Sequence, residues 1–197
     1  MVELQNPWIH LRFLTEQHRE TLRLLAKDAR IWEYTKTLML TDTYDQQFDT
    51  YFGQALAITE TGGQAYVIVD AVTSNIIGMT RVYDIDQRVK KATIGHTWYT
   101  PAVWGQVHNK ACKLLLLEYL FDTLQFARVA FTVKSQNVRS QKALEKIGAT
   151  REGILRHFEL RNDGVPSDQH VFSILGSEWP EKNIRLREMV RSLAAAH

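Results

Sequence analysis

The chain has 197 residues, of which 45% are hydrophobic and 23% charged, and a formal net charge of +2. This is the composition of a globular protein with enough apolar material for its own core, so neither a disulfide nor a metal staple is required. A charge so near zero, with no run of basic residues, argues against a nucleic-acid partner. The lone cysteine, Cys112, excludes an internal disulfide, and its apolar neighbours mark it as a small buried hydrophobe rather than a nucleophile. Residues 1–10 lack the charged-then-apolar layout of a signal peptide, and no apolar run approaches the ~18 residues that span a bilayer. The expectation is a cytoplasmic protein with no membrane partner. No repeat or Pro/Gly/Ser-rich linker divides the chain, so one continuous domain over residues 1–197 is expected.

In chain order, Ile9 to Leu14 alternates as a first strand. Thr15 can cap a helix to about Arg30, with Leu22, Leu24, Leu25 and Ala29 as its apolar stripe. A second helix is predicted from about Thr43 to Glu60, stopped by Gly62-Gly63. Three strands joined by short polar turns follow: Gln64–Asp70, Asn75–Tyr83 and Lys91–Tyr99. Lys110–Leu124 is apolar almost all round, as befits a central buried helix. Arg128–Lys134 is a buried strand, and Asn137 caps a short helix that Gly148 closes. Ile154–Leu160 and Gln169–Leu175 are predicted as a hairpin around the turn Arg161-Asn162-Asp163-Gly164-Val165-Pro166. A charged helix, about 181–193, ends the chain after Trp179-Pro180, and both packing on the domain and pairing with a second subunit are open to it. Runs of antiparallel strands with one strand-helix-strand crossover define an α+β protein with a mixed sheet.

Two junctions carry chemistry. In the first, Thr100-Pro101-Ala102-Val103-Trp104-Gly105-Gln106-Val107-His108-Asn109-Lys110 joins a strand to the buried helix. Free N–H groups and the dipole at such a helix start attract phosphate, and Lys110 and Lys113 add positive charge near it. In the second, Asn137 opens a helix directly after the buried strand, with Ser140 one turn on.

Taken together, the Trp104-Gly105 loop, the apolar helix, the next strand and Asn137-x-x-Ser140-x-x-x-Leu144-x-Lys146-x-Gly148 resemble the CoA-binding half of a GNAT acetyltransferase, in its RimJ/RimL-like branch. Arg151-Glu152-Gly153 and Thr93-Ile94-Gly95-His96 fit the same branch, and the resemblance covers about residues 8–176. It implies a GNAT-type acyl-CoA N-acyltransferase fold: a mixed, mostly antiparallel seven-stranded sheet flanked by helices, with a C-terminal helical extension. The phosphate loop departs from the usual Gln/Arg-x-x-Gly-x-Gly/Ala, with Trp104, Val107 and Asn109 at the three marked places. Valine is poor at positive φ, so the backbone of Val107 is expected to be ordinary and the N–H groups from Gly105 to Lys110 to serve instead.

The resemblance implies acetyl transfer from acetyl-CoA directly to an amine, with no metal. Trp98, Tyr99, Trp104, Gly105, Gln106, Val107, His108, Asn109, Lys110, Asn137 and Ser140 would contact CoA, Trp98 and Tyr99 through their main chain at the oxyanion. Ser140 would be a catalytic residue near the thiol, its proton delivery to the departing sulfur running directly or through water. Glu159 is the first candidate base, with His96 next and Asp84 and His157 as alternatives; His157 is expected on the face of Glu159. Trp32, Arg81 and Tyr83, with Tyr34 and Met79, would line the acceptor cleft, and Arg81 there would suit an acceptor bearing a carboxylate. A protein N-terminus, a small amine or amino acid, and a CoA-binding module without turnover all remain open, as does a homodimer. The scattered histidines include no i, i+4 pair, and no P-loop or Gly-x-Ser-x-Gly elbow occurs.

Overall fold

A computed structural model of the chain describes residues 1–34, 42–161 and 164–195. The strands are β1 (Leu4–Gln5), β2 (Ile9–Phe13), β3 (Gln64–Asp70), β4 (Ile76–Asp86), β5 (Lys91–Tyr99), β6 (Arg128–Lys134), β7 (Thr150–Leu160) and β8 (Pro166–Leu175). The helices are α1 (Arg19–Leu25), α2 (Tyr44–Ala57), α3 (His108–Glu118), α4 (Val138–Lys146) and α5 (Trp179–Ala195). The sheet has eight strands in the order β1-β2-β3-β4-β5-β6-β8-β7, one more than the seven expected. The extra strand is β1, a two-residue edge pairing with β2, too short for any alternation to announce it.

All strand pairs are antiparallel except β5–β6, where the crossover through α3 makes the ladder parallel. Helices cover both faces. On one, Ile9, Tyr66, Val82, Ile94, Val129, Phe131 and Phe172 pack under Leu116 and Leu120 of the α3 segment and Leu186 and Val190 of α5. On the other, Val67, Met79 and Trp98 meet Leu22, Trp32, Phe48 and Phe52 from α1, α2 and the segment between them.

The helix expected from Thr15 to Arg30 is three pieces: a 3-10 turn at Glu16–His18, α1, and a second 3-10 turn at Ala29–Ile31. Asp28 breaks it, its carboxylate accepting from the Arg30 amide as a new cap. At the end of α3 the chain widens into a π turn, Tyr119–Thr123, and the Gln125 side chain donates to the freed carbonyls of Phe121 (3.1 Å) and Asp122 (2.7 Å). Residues Asn162 and Asp163 of the expected hairpin turn, and His197, lie outside the described residues.

Where β4 crosses β5 the strands come close enough to exclude any side chain. A Cβ on Gly78 would lie 2.0 Å from the Trp98 carbonyl oxygen. Gly78→Ala is expected to cost at least about 3 kcal/mol, because backbone rather than a pliable side chain must yield; urea unfolding measures it.

Candidate active site

Strands β5 and β6 hold a parallel ladder at only three positions, Lys91↔Arg128, Ala92↔Val129 and Thr93↔Ala130. Beyond Thr93 the strands part, so the edge of β5 toward β6 has no ladder partner up to Tyr99. Within the gap β5 carries a bulge: Gly95 to Trp98 spans three steps opposite two on β4, and His96 sits at φ 48°. The bulge throws the His96 ring out to solvent, 5.3 Å from the Tyr83 ring and 6.4 Å from Tyr51. Tyr83 runs across β5 over Gly95, where a Cβ would lie 2.7 Å from the phenol oxygen. It reaches the Thr132 hydroxyl on β6. Burial pushes the Tyr83 phenol above its ordinary value, and the Thr132 hydrogen bond opposes that shift.

The loop after β5 turns at Gly105 (φ 80°), and Val107 is ordinary helical backbone at φ −67°. Helix α3 then starts with no side-chain cap. Its first N–H groups are therefore left for something other than the helix itself. Trp104 is pinned to the end of β5 by its indole N–H, 2.9 Å from the Tyr99 carbonyl oxygen. The Arg139 guanidinium of α4 lies 4.1 Å from its ring centroid and that of Arg30 5.8 Å, so Trp104 joins the loop to the start of α4. Gln106 donates to the Ala102 carbonyl (2.9 Å). The His108 ring is buried, with Nε2 2.8 Å from Asp70 Oδ2 at the end of β3. Burial alone would raise the Asp70 carboxyl. Donation from Thr73, His108 and Val72 outweighs it, and the group stays below the ordinary carboxylate value. Lys110, part-buried at the helix start, is lowered by burial and then by Lys146.

On the far side of the gap Asn137 caps α4, its Oδ1 accepting from the Ser140 amide at 3.0 Å. Its Nδ2 has no intramolecular partner among the described residues, and Ser140 is part-exposed one turn in.

The face covered by α1 and α2 holds the residues expected at the acceptor. Arg81 is 3% exposed, donates from Nη2 to the Tyr51 carbonyl (3.0 Å) and stacks 4.4 Å from the Tyr51 ring centroid. Among the described residues it meets no carboxylate, and its Nε has no partner. Trp32 is core, its indole N–H 2.6 Å from the Ala26 carbonyl and its ring 5.9 Å from Trp98. Met79 is likewise fully buried, and Tyr34 is part-exposed.

Glu159, on β7 opposite Ser167, has a side chain only 6% exposed and lies 3.8 Å from Lys134 Nζ on β6. Before it the ladder is irregular: four steps along β7, Leu155 to Glu159, oppose two on β8. His157 stands at the bulge with φ 47°, its amide donating to Asp168 Oδ1 (2.8 Å). The extra residues break the alternation, so exposed His157 does not share the environment of buried Glu159, contrary to expectation. Asp84 is exposed at a further bulge, in β4.

One polar side chain lies away from its expected place. Lys113, expected to add charge at the helix start, is 7% exposed and points inward. Its Nζ donates to Thr97 Oγ1 on β5 (3.1 Å) and lies 5.6 Å from the Phe131 ring centroid on β6. The signal was present: a lysine in the middle of a helix that is apolar nearly all round has no solvent-facing side to occupy.

This architecture is that of an acyltransferase, and the comparisons name the family. The model of the acetyltransferase (GNAT) domain matches residues 9–150, and the chain belongs to that family. It is an N-acetyltransferase. The uncharacterized N-acetyltransferase YoaA of Bacillus subtilis is 25% identical over 172 residues, 87% of this chain and 96% of YoaA. YdaF of the same organism, named as a candidate ribosomal N-acetyltransferase, is 32% identical over 53% of this chain and 56% of its own length. An acetyltransferase structure from T. thermophilus superposes with a TM-score of 0.83 at 28% identity, covering 96% of this chain and 97% of that one. RimJ of Mycobacterium smegmatis, solved with CoA-disulfide, shares the fold with a TM-score of 0.78 at 20% identity, over 95% of this chain and 93% of its own.

Burial lowers the Lys113 ammonium from its ordinary 10.5 to about 8. Between those two values the unfolded chain holds the proton and the folded chain does not, so unfolding free energy rises as pH rises through that window. Below it the cost of the buried charge is constant. Lys113→Met is therefore expected to be more stable than the parent by roughly 1–3 kcal/mol at pH 7, with the difference shrinking toward pH 10. Chemical denaturation at a series of pH values checks this.

Proposed function

We propose that the chain moves an acetyl group from acetyl-CoA to a primary amine, in the first place the N-terminal amine of a protein, and that residues 1–197 work as one transferase domain. The observation that carries this reading is the parting of β5 from β6 directly beside the uncapped start of α3. A diphosphate suits the N–H groups of Gly105 and of Val107 to Lys110, as anions suit helix starts generally, while that of Gln106 turns back to the Val103 carbonyl (3.4 Å). The pantetheine arm would lie in the gap, against the main chain of Trp98 and Tyr99, with the Asn137 amide as a further donor and Ser140 near the thiol. The ribosomal designation of YdaF supports a protein acceptor.

In this scheme Glu159 or His96 takes the proton of the attacking amine from the α1–α2 side of the sheet. Main-chain N–H groups of the bulged stretch of β5 receive the charge that develops on the carbonyl oxygen. Lys134 Nζ lies 3.8 Å from Glu159 Oε1. The proton would therefore move through a paired carboxylate rather than a solvated one.

A second reading of the acceptor is favoured by Arg81. A buried guanidinium with no carboxylate partner among the described residues, beside Tyr51, suits an amine that brings its own carboxylate, such as an amino acid.

Free-thiol release from acetyl-CoA, measured against N-terminal peptides and small amines, tests the proposal. Release above the no-acceptor rate is expected with peptides, whereas tight CoA binding without release for any acceptor would mark a binding module. Glu159→Gln is expected to lower kcat about 10²-fold; an unchanged rate across pH moves the base to His96. Arg81→Met is expected to raise KM about tenfold or more for a carboxylate-bearing acceptor alone, and an equal effect on every acceptor would remove the second reading.

A further inference from the structure

We propose that Lys113 is a catalytic residue of the transfer step, the group that gives a proton to the departing thiolate, and that Thr97 holds its ammonium in place. The proposal rests on the reading of the β5–β6 gap as the seat of the thioester arm.

Lys113 is built into both walls of that gap from beneath. Its Nζ bonds to Thr97 Oγ1 on β5 at 3.1 Å and lies over the face of Phe131 on β6. Thr97 Oγ1 is itself fixed, 2.7 Å from Thr80 Oγ1 on β4. Thr97 belongs to the bulged stretch of β5, past the last ladder pair with β6. An ammonium carries three donors, and only one is used among the described residues. Among the same residues no carboxylate lies within ion-pairing distance of it. A buried cation without a counter-ion is costly, and a structural role would be filled more stably by an apolar side chain of the same length. What remains is a partner from outside the chain.

The partner that fits is a group neutral on arrival and anionic on leaving. A thioester sulfur is such a group. The acceptor nitrogen adds to the thioester carbonyl carbon to give a tetrahedral adduct. As the adduct collapses, the C–S bond breaks with its electron pair on sulfur, and sulfur takes a proton from Lys113 Nζ. The products are the amide, free thiol and a neutral Lys113. The proton lost by the acceptor nitrogen leaves through the base on the opposite face, and Lys113 regains its proton from solvent. No oxidant or other reactant is required.

The surroundings support proton transfer in this direction. Held at about 8, Lys113 is mostly charged at neutral pH. It is also close to the roughly 8.5 of an ordinary thiol, so transfer is nearly level. Among the described residues the titratable group that acts on Lys113 is its neighbour Cys112 on α3; burial pushes that thiol upward, and it brings no charge at neutral pH. Thr80, Thr97 and Phe131, from β4, β5 and β6, bring none.

The test compares the parent, Lys113→Met, Lys113→Arg and Thr97→Val. CoA binding is measured by calorimetry, titration of the bound CoA thiol by its ultraviolet thiolate absorbance, and kcat as a function of pH. In the parent the bound thiol is expected to titrate about one unit below free CoA. Lys113→Met should return it to the free value or above, with kcat down about 10–100-fold and the alkaline limb of the profile moved. Lys113→Arg should keep the thiol low yet leave kcat low, because arginine holds its proton. Thr97→Val should shift thiol and kcat as Lys113→Met does, by less, and it decides the matter if Lys113→Met does not fold. The idea is overturned if Lys113→Met binds CoA with unchanged thiol titration and an unchanged kcat profile, which would leave Lys113 a packing residue. Absence of CoA binding by the parent overturns the cleft reading itself, a result separable from the first.

Discussion

Parallel strands β5 and β6 share a ladder at three positions and then separate, and the chain must fill or furnish the space that opens between them. Backbone N–H and C=O groups cannot be left dry without a partner. In an ordinary parallel sheet the neighbouring strand supplies it. Here the divergence leaves one edge of β5 open from Ile94 to Tyr99 in the middle of a sheet that is otherwise continuous. An open edge inside a domain is protected from pairing with other chains, unlike one at the rim. It therefore stays available to a small extended ligand with amides of its own, and pantetheine is a ligand of that kind.

The strands around the gap share a second property. Asp84 on β4, His96 on β5 and His157 on β7 all have positive φ, and each lies at a place where the ladder skips. Bulges re-aim side chains, and left-handed backbone at a residue other than glycine carries a cost that the surrounding packing has to sustain. The types found there, aspartate and histidine, are among those that tolerate this conformation best. Their effect is local and directional. The bulge at His96 turns its ring out beside Tyr83, while the bulge before Glu159 lets that carboxylate turn in against Lys134. Two candidate bases thus owe their positions to backbone irregularity rather than to the alternation of a regular strand.

This explains which parts of the structure could be read in the sequence. β3, β5 and β6 coincide with their expected spans because each is a run of apolar and β-branched residues between turn formers. The Asn137 cap and the Gly148 stop were legible for the same local reason. β7 and β8 were foreshortened, because their first residues are exposed or polar, and pairing rather than pattern makes them strands. The bulges left no trace in the hydropathy pattern, so the faces of His157 and Glu159 were assigned as if the strand were regular. Lys113 stands near a helix start in sequence, but the environment of a helical residue is set by which side of the helix it occupies. Its neighbours Cys112, Leu114, Leu115, Leu116 and Leu117 are all buried, which left the lysine no other place to go.

In the loop proposed to take the diphosphate, the glycine turn lies at a different position from that of the family's pattern. A glycine in such a loop serves to let the chain turn through positive φ and to bring main-chain N–H groups close to an anion. The turn falls at Gly105, with φ 80°, two residues before the place where the family's pattern puts a glycine. By Val107 the backbone is already helical, so valine there is unstrained. α3 consequently starts immediately after the turn, with its unpaired N–H groups drawn from residues that need no special conformation. What the substituted loop lacks in compactness is offset by two tethers: Trp104 to the Tyr99 carbonyl at one end and His108 to Asp70 at the other. Both tethers use side chains large enough to reach neighbouring strands, which glycines could not provide. The loop is thereby held from outside by β5 and β3, and its main-chain donors keep their direction without the glycines that usually set it.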